Sequence, residues 1–139
     1  MIMWLRKSKV GFTLIELMVV VAIIGVLALL GLRLYTGQQQ KAKNAIVKAN
    51  AGTIQTLLQA ELADATFSVV ANMVTAAAPD NVFAKSGIHV PDGGLQTANG
   101  GAAVGQVVVS ISVGDEIFWV NGNAFLTGDV YTDPLSARK

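Results

Sequence analysis

The feature that most constrains this chain is an apolar run near its amino end, from Gly11 to Leu32. A helix of these 22 residues would be about 33 Å long, which is enough to cross a bilayer core of about 30 Å. A cleaved secretory signal has a shorter apolar stretch followed by a small-x-small site, and the residues after this run offer none. The run therefore predicts a retained membrane helix.

One carboxylate, Glu16, interrupts this run close to its start. A charged side chain in hydrocarbon costs about 2.5–3.5 kcal/mol on insertion scales, so a residue of this kind is expected to have a partner or a function. Glu16 is therefore the first residue of the sequence that demands an explanation.

The orientation of the predicted membrane helix does not follow from the charges beside it. Three basic residues lie in the first nine positions, and four more lie between Arg33 and Lys48. Because the numbers of basic residues on the two sides of the helix are nearly equal, the preference of positive charge for the cytoplasmic side does not determine its orientation. The short amino-terminal segment favours a cytoplasmic amino end, since a long domain can cross the membrane largely regardless of its charge.

The rest of the chain has the composition of an ordinary soluble protein, rich in Ala, Gly, Val and Thr. Only 14% of the residues are charged, against about 25% in typical domains, and the excess of apolar residues is concentrated in residues 12–32. The net charge of +1 provides no basic face, so no sequence-specific nucleic-acid partner is expected. The absence of cysteine excludes a disulfide framework and a thiolate metal site.

A second pattern begins beyond the membrane helix. Apolar residues recur at steps of three and four while Lys48, Gln55 and Gln59 fall off that line, which predicts an amphipathic helix with one face against a core. The apolar positions are Val47, Ala51, Ile54, Leu58, Leu62 and Ala65. Because no proline occurs before Pro79, the simplest prediction is one helix over residues 12–64, with residues 12–33 in the membrane.

The remaining residues, 65–139, predict a small β-rich head. Residues 81–90 are compatible with a strand, and apolar residues at every second position from Val107 to Val113 predict another. A small sheet needs a cover on one face, and the amphipathic helix is the only long apolar surface available for it. The predicted fold class is therefore α+β, with a long amino-terminal helix packed on a small antiparallel sheet.

Turn signals divide the end of the chain into further strands. Gly114-Asp115 and Asn121-Gly122 each have the composition of a two-residue hairpin. The strands predicted around them cover residues 116–120 and 124–127, with a fourth candidate at residues 129–132. Phe118 and Trp119 are expected to serve the sheet core, one on each face.

Residues that could carry chemistry are few. His89, the only histidine, has no interpretable neighbours and is expected at the surface or in a strand. Asp129 and Asp133 could contribute oxygens to a calcium site, but such a pair is a weak signal, and solvated loop aspartates are the favoured interpretation. The sequence has no phosphate loop, nucleophile elbow or metal-spaced cluster, so neither catalysis nor a cofactor or metal is expected.

The start of the apolar helix carries a specific motif. A short basic segment ends at Gly11, and Phe12-Thr13-Leu14-Ile15-Glu16-Leu17 then opens the helix. This order closely resembles the class III signal of type IV pilins and of the pseudopilins of type II secretion and DNA-uptake machines. The detailed resemblance covers about the first 25 residues, and the predicted long helix with a small β-rich head matches the architecture of that family.

The resemblance implies how such a chain is processed. A prepilin peptidase would cut between Gly11 and Phe12, remove the leader (residues 1–11) and methylate the new amino group of Phe12. Glu16, one helical turn further on, would pair with that amino group in its own chain or in a neighbouring subunit. In the second case the pair would set the register of helices in a filament. The implied partners are the peptidase, an inner-membrane assembly platform and further copies of the chain.

Several departures from the family pattern leave open which branch of the family this chain resembles. Arg33 stands where many members have a proline, no cysteine pair is present, and residues 133–139 do not reproduce the calcium-binding pattern of major pseudopilins. The favoured function is a structural subunit of a type IV pilus-like filament. The alternatives are a pseudopilin or minor pilin and, third, a monomeric membrane-anchored binding module. The implied location is the inner membrane before assembly, and then an extracellular pilus or a periplasmic pseudopilus.

Overall fold

Helix α1 (Leu14–Asp64) is the first element of the computed structural model, which describes residues 11–101, 103–125 and 128–138. Most of the predicted leader, residues 1–10, lies outside the described residues. The chain divides into two compact units, Met1–Gly37 and Gln38–Lys139, so α1 contributes to both. Its second part belongs to the carboxyl-terminal unit, together with the other described helices and strands.

Shorter elements follow α1. They are α2 (Phe67–Thr75), α3 (Val82–Ser86), β1 (Val107–Ser112), β2 (Ile117–Gly122) and β3 (Leu135–Arg138). The strands form an antiparallel sheet in the order β1-β2-β3, with Val109 opposite Val120 and Phe118 opposite Ala137. The predicted α+β class, a long amino-terminal helix packed on a small antiparallel sheet, is confirmed.

The second part of α1 covers one face of this sheet. Five positions of its predicted apolar stripe are buried: Val47, Ala51, Ile54, Leu58 and Leu62. Apart from Val47, they share one core with inward side chains of the sheet, which include Val107, Val109, Phe118 and Val120. Full burial of an aliphatic side chain of this size stabilises a fold by about 1.5–3 kcal/mol. The stripe is therefore a main source of stability for this unit.

Helix α2 was not predicted, yet it completes the core. Thr66 precedes it in an extended conformation, and Phe67, Val70 and Val74 are buried at helical spacing. The ring centroid of Phe67 lies 4.6 Å from that of Phe118, with the rings tilted by 31°. The helix therefore packs an aromatic side chain directly on the central strand of the sheet.

Helix α3 corrects the predicted strand over residues 81–90. The Oδ1 atom of Asn81 accepts a hydrogen bond from the Ala84 N–H at 2.7 Å, and Gly87 ends the helix with a φ of 66°. Asn is a preferred residue before a helix, and Gly is preferred directly after one. Both signals are present in the sequence, but the apolar stretch between them is too short to separate strand from helix by periodicity.

The hairpin between β1 and β2 lies where it was predicted, but its loop is longer. The strands end at Ser112 and resume at Ile117, so residues 113–116 connect them instead of Gly114-Asp115 alone. Glu116 has a φ of 53°, a conformation that few residues other than glycine adopt. Phe118 is buried as expected, whereas Trp119 is 39% exposed, so only one face of the sheet has a core.

The predicted hairpin at Asn121-Gly122 is wrong. Strand β2 continues through both residues, and β3 comes from Leu135–Arg138. Residues 124 and 125 lie outside the strands, and residues 126–127 lie outside the described part of the chain. The fourth strand predicted over residues 129–132 is also wrong, because its residues make only a single bridge, between Asn123 and Asp129.

Side-chain amides occupy the outer edge of β1. Gln96, which is buried, donates to the Val107 carbonyl at 2.6 Å and accepts from the Val107 N–H at 3.0 Å. Asn99 makes the same two bonds to Val109, both at 2.8 Å. Unpaired N–H and C=O groups at a sheet edge invite pairing with another chain. The two amides satisfy these groups without adding a strand.

Polar contacts fasten the later segments of the chain to α1. The Gln55 amide donates to the Ser136 carbonyl at 2.8 Å, and the Tyr131 hydroxyl donates to the Lys48 carbonyl at 3.1 Å. Lys43 Nζ lies 2.6 Å from Asp92 Oδ1. A surface ion pair of this kind contributes about 0–1 kcal/mol, so these contacts position the loops more than they stabilise the unit.

Candidate functional site at the start of helix α1

The segment before α1 is open to solvent. Gly11, Phe12 and Thr13 precede the helix without regular structure, and Phe12 is 86% exposed. A side chain added at Gly11 would meet no atom within 4 Å. The Gly11-Phe12 peptide bond, which is the predicted cleavage site, is therefore not protected by any described part of the chain.

Thr13 caps the helix. Its Oγ1 atom accepts a hydrogen bond from the Glu16 N–H, and its carbonyl accepts one from the Leu17 N–H, both at 3.3 Å. Helices begin with unpaired N–H groups, and a Thr side chain at this position satisfies one of them. The sequence signal was Thr-x-x-Glu, the capping-box pattern. Sequence reasoning did not use it, so the role of Thr13 was missed.

Glu16 lies in the first turn of α1. It is exposed, and no described residue forms a hydrogen bond or an ion pair with its carboxylate. A negative charge at this position is favourable because the first N–H groups and the helix dipole make a helix start electropositive. Local structure therefore explains why Glu16 is compatible with the helix, while its pairing with a Phe12 amino group stays a prediction.

The first part of α1 presents apolar side chains on all sides. Every residue from 11 to 36 is exposed. The large apolar side chains among them include Leu14, Ile15, Leu17, Met18, Ile23, Ile24, Leu27 and Leu30. This part of the helix is long and apolar enough to cross a membrane. An apolar surface of this size has to be covered by lipid or by another protein.

Residues 6–32 match the family model of the prokaryotic N-terminal methylation motif. The chain carries this methylation motif. The methylation motif is the class III signal peptide of type IV pilins and pseudopilins, so the resemblance inferred from the sequence is confirmed. The motif supports the interpretation that the chain is a type IV pilin-like or pseudopilin precursor, which is a structural kind of protein. The apolar helix and the motif together fit anchoring in a membrane. No significant match to the chain was found among curated proteins or among solved structures.

The other candidate residues belong to the carboxyl-terminal unit. His89 is exposed and forms a bridge with Leu95, and its Nδ1 atom lies 3.0 Å from the Gly87 carbonyl oxygen. Asp129 and Asp133 are exposed in the connection between β2 and β3. Within residues 11–101, 103–125 and 128–138, no three His, Cys, Asp or Glu side chains are grouped as a metal site would need.

Proposed function

We propose that this chain is a structural subunit of a type IV pilus-like filament. In this proposal a prepilin peptidase cuts between Gly11 and Phe12 and methylates the Phe12 amino group, and an inner-membrane platform assembles the mature subunits. The observation that carries the proposal is the methylation motif joined directly to a helix whose apolar side chains have no cover in the described chain.

The exposed part of α1 requires two different environments in turn. Before assembly, lipid covers its side chains, which are apolar on every side as in a membrane-spanning helix. In a filament, the same side chains pack against the helices of neighbouring copies. Helices already in a membrane associate through packing and polar contacts, not through a further hydrophobic gain. A polar contact that fixes the position of one helix against the next is therefore needed.

Glu16 is the residue that supplies this contact. In the mature chain the Phe12 amino group would lie four residues before Glu16, next to the electropositive start of α1. A positive charge at that place needs a nearby anion when water is excluded. Leaving one member of a buried ion pair alone costs about 3–5 kcal/mol. This cost would arise at every subunit, so one substitution at Glu16 would affect assembly far more than folding.

The experiment compares Glu16→Gln with Thr13→Ala in a strain that has no other copy of the gene. Glutamine also suits the third helical position of a capping box, so Glu16→Gln removes the charge and keeps the cap. Thr13→Ala removes the cap, at a cost of about 0.5–2 kcal/mol, and keeps the charge. We expect processed Glu16→Gln subunits to accumulate in the membrane with few or no sheared filaments, and Thr13→Ala to retain filaments.

Mass spectrometry of the amino terminus tests the processing step separately. The expected mature chain begins at methylated Phe12, and Gly11→Val should leave the full-length precursor in the membrane. A chain that still begins at Met1 would contradict processing. Normal filament yield from Glu16→Gln would instead contradict the pairing, and a chain that is neither cut nor polymerised would be a monomeric membrane anchor.

The same motif also occurs in pseudopilins, so a pseudopilin or minor pilin is the second candidate. The proposed processing and the proposed role of Glu16 are common to both candidates. They differ in copy number, because a filament subunit is the main component of sheared surface filaments whereas a minor pilin is a trace component. Quantifying the chain in sheared filaments by mass spectrometry separates them.

A further inference from the structure

The face of the sheet opposite α1 carries a partly exposed tryptophan. Trp119 lies in the central strand β2, and its neighbours in register are Ser110 on β1 and Ser136 on β3. Both neighbours are small, so they do not cover the indole ring, which is 39% exposed. Burying a tryptophan is strongly favourable, and an indole left open on a rigid sheet is therefore available for a ligand.

A cavity of about 280 Å³ opens beside this ring. The side chains that line it include Val108, Ser110, Trp119, Asn121, Asn123 and Asp129. Ligand sites in proteins have volumes of about 300–1,000 Å³ and combine an apolar surface with a few oriented polar groups. This cavity is near the lower end of that range, which is the size of a single sugar ring rather than of an extended ligand.

The polar atoms that line the cavity fall into two sets: those already hydrogen-bonded within the chain, and an unused set without a hydrogen-bond partner among the described residues. The Asn123 amide group donates to the carbonyls of Gly101 and Ala103, and the Asn121 amide donates to the Tyr131 carbonyl. Within the described residues, by contrast, the Ser110 hydroxyl, the Asp129 carboxylate and the Asn123 Oδ1 atom have no hydrogen-bond partner. The unused set provides several acceptors and one hydroxyl that both donates and accepts.

Backbone hydrogen bonds hold the wall of the cavity in place. The Asn123 N–H donates to the Gln106 carbonyl at 2.9 Å, and its carbonyl accepts from the Gly105 N–H at 2.8 Å. The Val130 N–H donates to the Gly122 carbonyl at 2.7 Å, so the residues around Asp129 are fastened to the end of β2. A site whose groups are already ordered loses less entropy when a ligand binds.

The charges of the lining restrict the ligand. None of the described residues that line the cavity is basic, and one is an unpaired carboxylate, so the site disfavours anions. A purely apolar ligand would cover that carboxylate and the Ser110 hydroxyl without offering either a hydrogen bond, which is unfavourable. A cationic amine would use the carboxylate but would leave the Ser110 hydroxyl without an acceptor.

We propose that this cavity binds a neutral sugar ring. A pyranose has a face of C–H groups that can stack on the exposed indole of Trp119, and a rim of hydroxyls that both donate and accept. Those hydroxyls donate to the Asp129 carboxylate and the Asn123 Oδ1 atom, and one accepts from the Ser110 hydroxyl. The chain therefore carries a glycan-binding site on the sheet face away from α1. A monomeric chain would carry this site as well as a chain in a filament.

The test uses the full chain in detergent micelles and three uncharged probes: methyl α-D-glucopyranoside, methyl β-D-galactopyranoside and N-acetylglucosamine. Saturation-transfer NMR with each probe at up to about 50 mM detects binding in the millimolar range expected for one sugar ring. We expect a signal for at least one probe. Trp119→Ala should weaken that binding about tenfold or more, because the stacking surface is lost.

Asp129→Asn and Val113→Ala complete the set of variants. Asp129→Asn keeps the shape of the side chain and removes the charge, so it should weaken binding as well. Val113→Ala changes an exposed side chain outside the cavity and should leave binding unchanged. Amide spectra of each variant establish that the unit is still folded.

Three outcomes would overturn the proposal. One is the absence of saturation transfer to all three probes, and another is equal binding to the wild-type chain and to a folded Trp119→Ala variant. The third is binding of tetramethylammonium with no binding of the sugars, which would assign the cavity to an organic cation. If Trp119→Ala instead lowered filament yield in a chain that binds no sugar, the face would be a contact between subunits.

Discussion

Gly122, at the end of strand β2, packs directly against Val47 of helix α1. A Cβ atom built on Gly122 would overlap the Val47 Cγ1 atom, and it would also lie 3.5 Å from Val130 Cγ2. Val47 is itself fully buried. The helix approaches the sheet so closely here because the strand has no side chain at this position.

Gly122→Ala should therefore destabilise the carboxyl-terminal unit. Inserting a methyl group into a packed core costs about 1–3 kcal/mol, because Val47 or the strand has to move. Gly114→Ala is the matched control, since a Cβ atom there would meet nothing within 4 Å. Chemical denaturation followed by circular dichroism measures both variants. Equal stability of the two would mean that α1 and β2 are not in contact.

Leu58→Asp should unfold the same unit. Leu58 is fully buried between α1 and the sheet, and an unpaired charge placed there costs more than most single substitutions. Gln59→Asp places the same charge one residue further along the helix, at an exposed position, and should change stability by about 0.5 kcal/mol or less. Thermal melting of the two variants compares them directly. An unchanged melting temperature for Leu58→Asp would show that the stripe faces water.

Gln96→Leu should cost about 1–3 kcal/mol, although leucine is apolar and of similar size. The substitution leaves the Val107 N–H at the edge of β1 without a partner, while the Val107 carbonyl loses the Gln96 amide and keeps its hydrogen bond from the Gly100 N–H. Thr97→Ala, next to it and exposed, is the control and should be nearly neutral. A second measurement is light scattering, because an unprotected strand edge promotes pairing between chains. A Gln96→Leu variant as stable and as monodisperse as wild type would contradict the proposed protection of the edge.

A fragment that starts at Gln38 should be soluble and folded. It removes the exposed apolar part of α1 and keeps the buried stripe from Val47 to Leu62, and it begins at the boundary between the two compact units. A fragment that starts at Gln55 loses Val47, Ala51 and Ile54 and should be unfolded. Size-exclusion chromatography and amide NMR dispersion distinguish the two states. Aggregation of the longer fragment would mean that the first part of α1 is needed for folding.

Patterns confined to neighbouring residues were enough to predict much of this fold. The apolar run before Leu32 and the stripe at Val47, Ala51, Ile54, Leu58 and Leu62 follow from helical periodicity, and the structure confirms the burial of that stripe. The alternation from Val107 onwards predicted β1 for the same reason, since side chains of a strand point to alternate faces. The methylation motif was also readable because its residues are contiguous in sequence.

Short segments were predicted less well because their local signals are ambiguous. Asn81 and Gly87 bound a helix of five residues, over which strand and helix patterns cannot be told apart. Thr13 was overlooked although Thr-x-x-Glu is a known helix start. In the structure the Thr13 hydroxyl accepts from the Glu16 N–H, and the electropositive helix start favours a negative charge at Glu16.

Repeats among neighbouring residues were sufficient to predict the apolar helix, its amphipathic continuation and β1, and the turn signal at Gly114-Asp115 placed β2 after it. The tertiary structure set the rest: Asn121-Gly122 continues β2 instead of turning, and Gly122 packs there against Val47, which lies 75 positions earlier. It also decided that β3 comes from Leu135–Arg138 and that Trp119 lies open beside Asp129. Contacts between residues far apart in the chain select one among several locally acceptable conformations, and local patterns carry no information about those contacts.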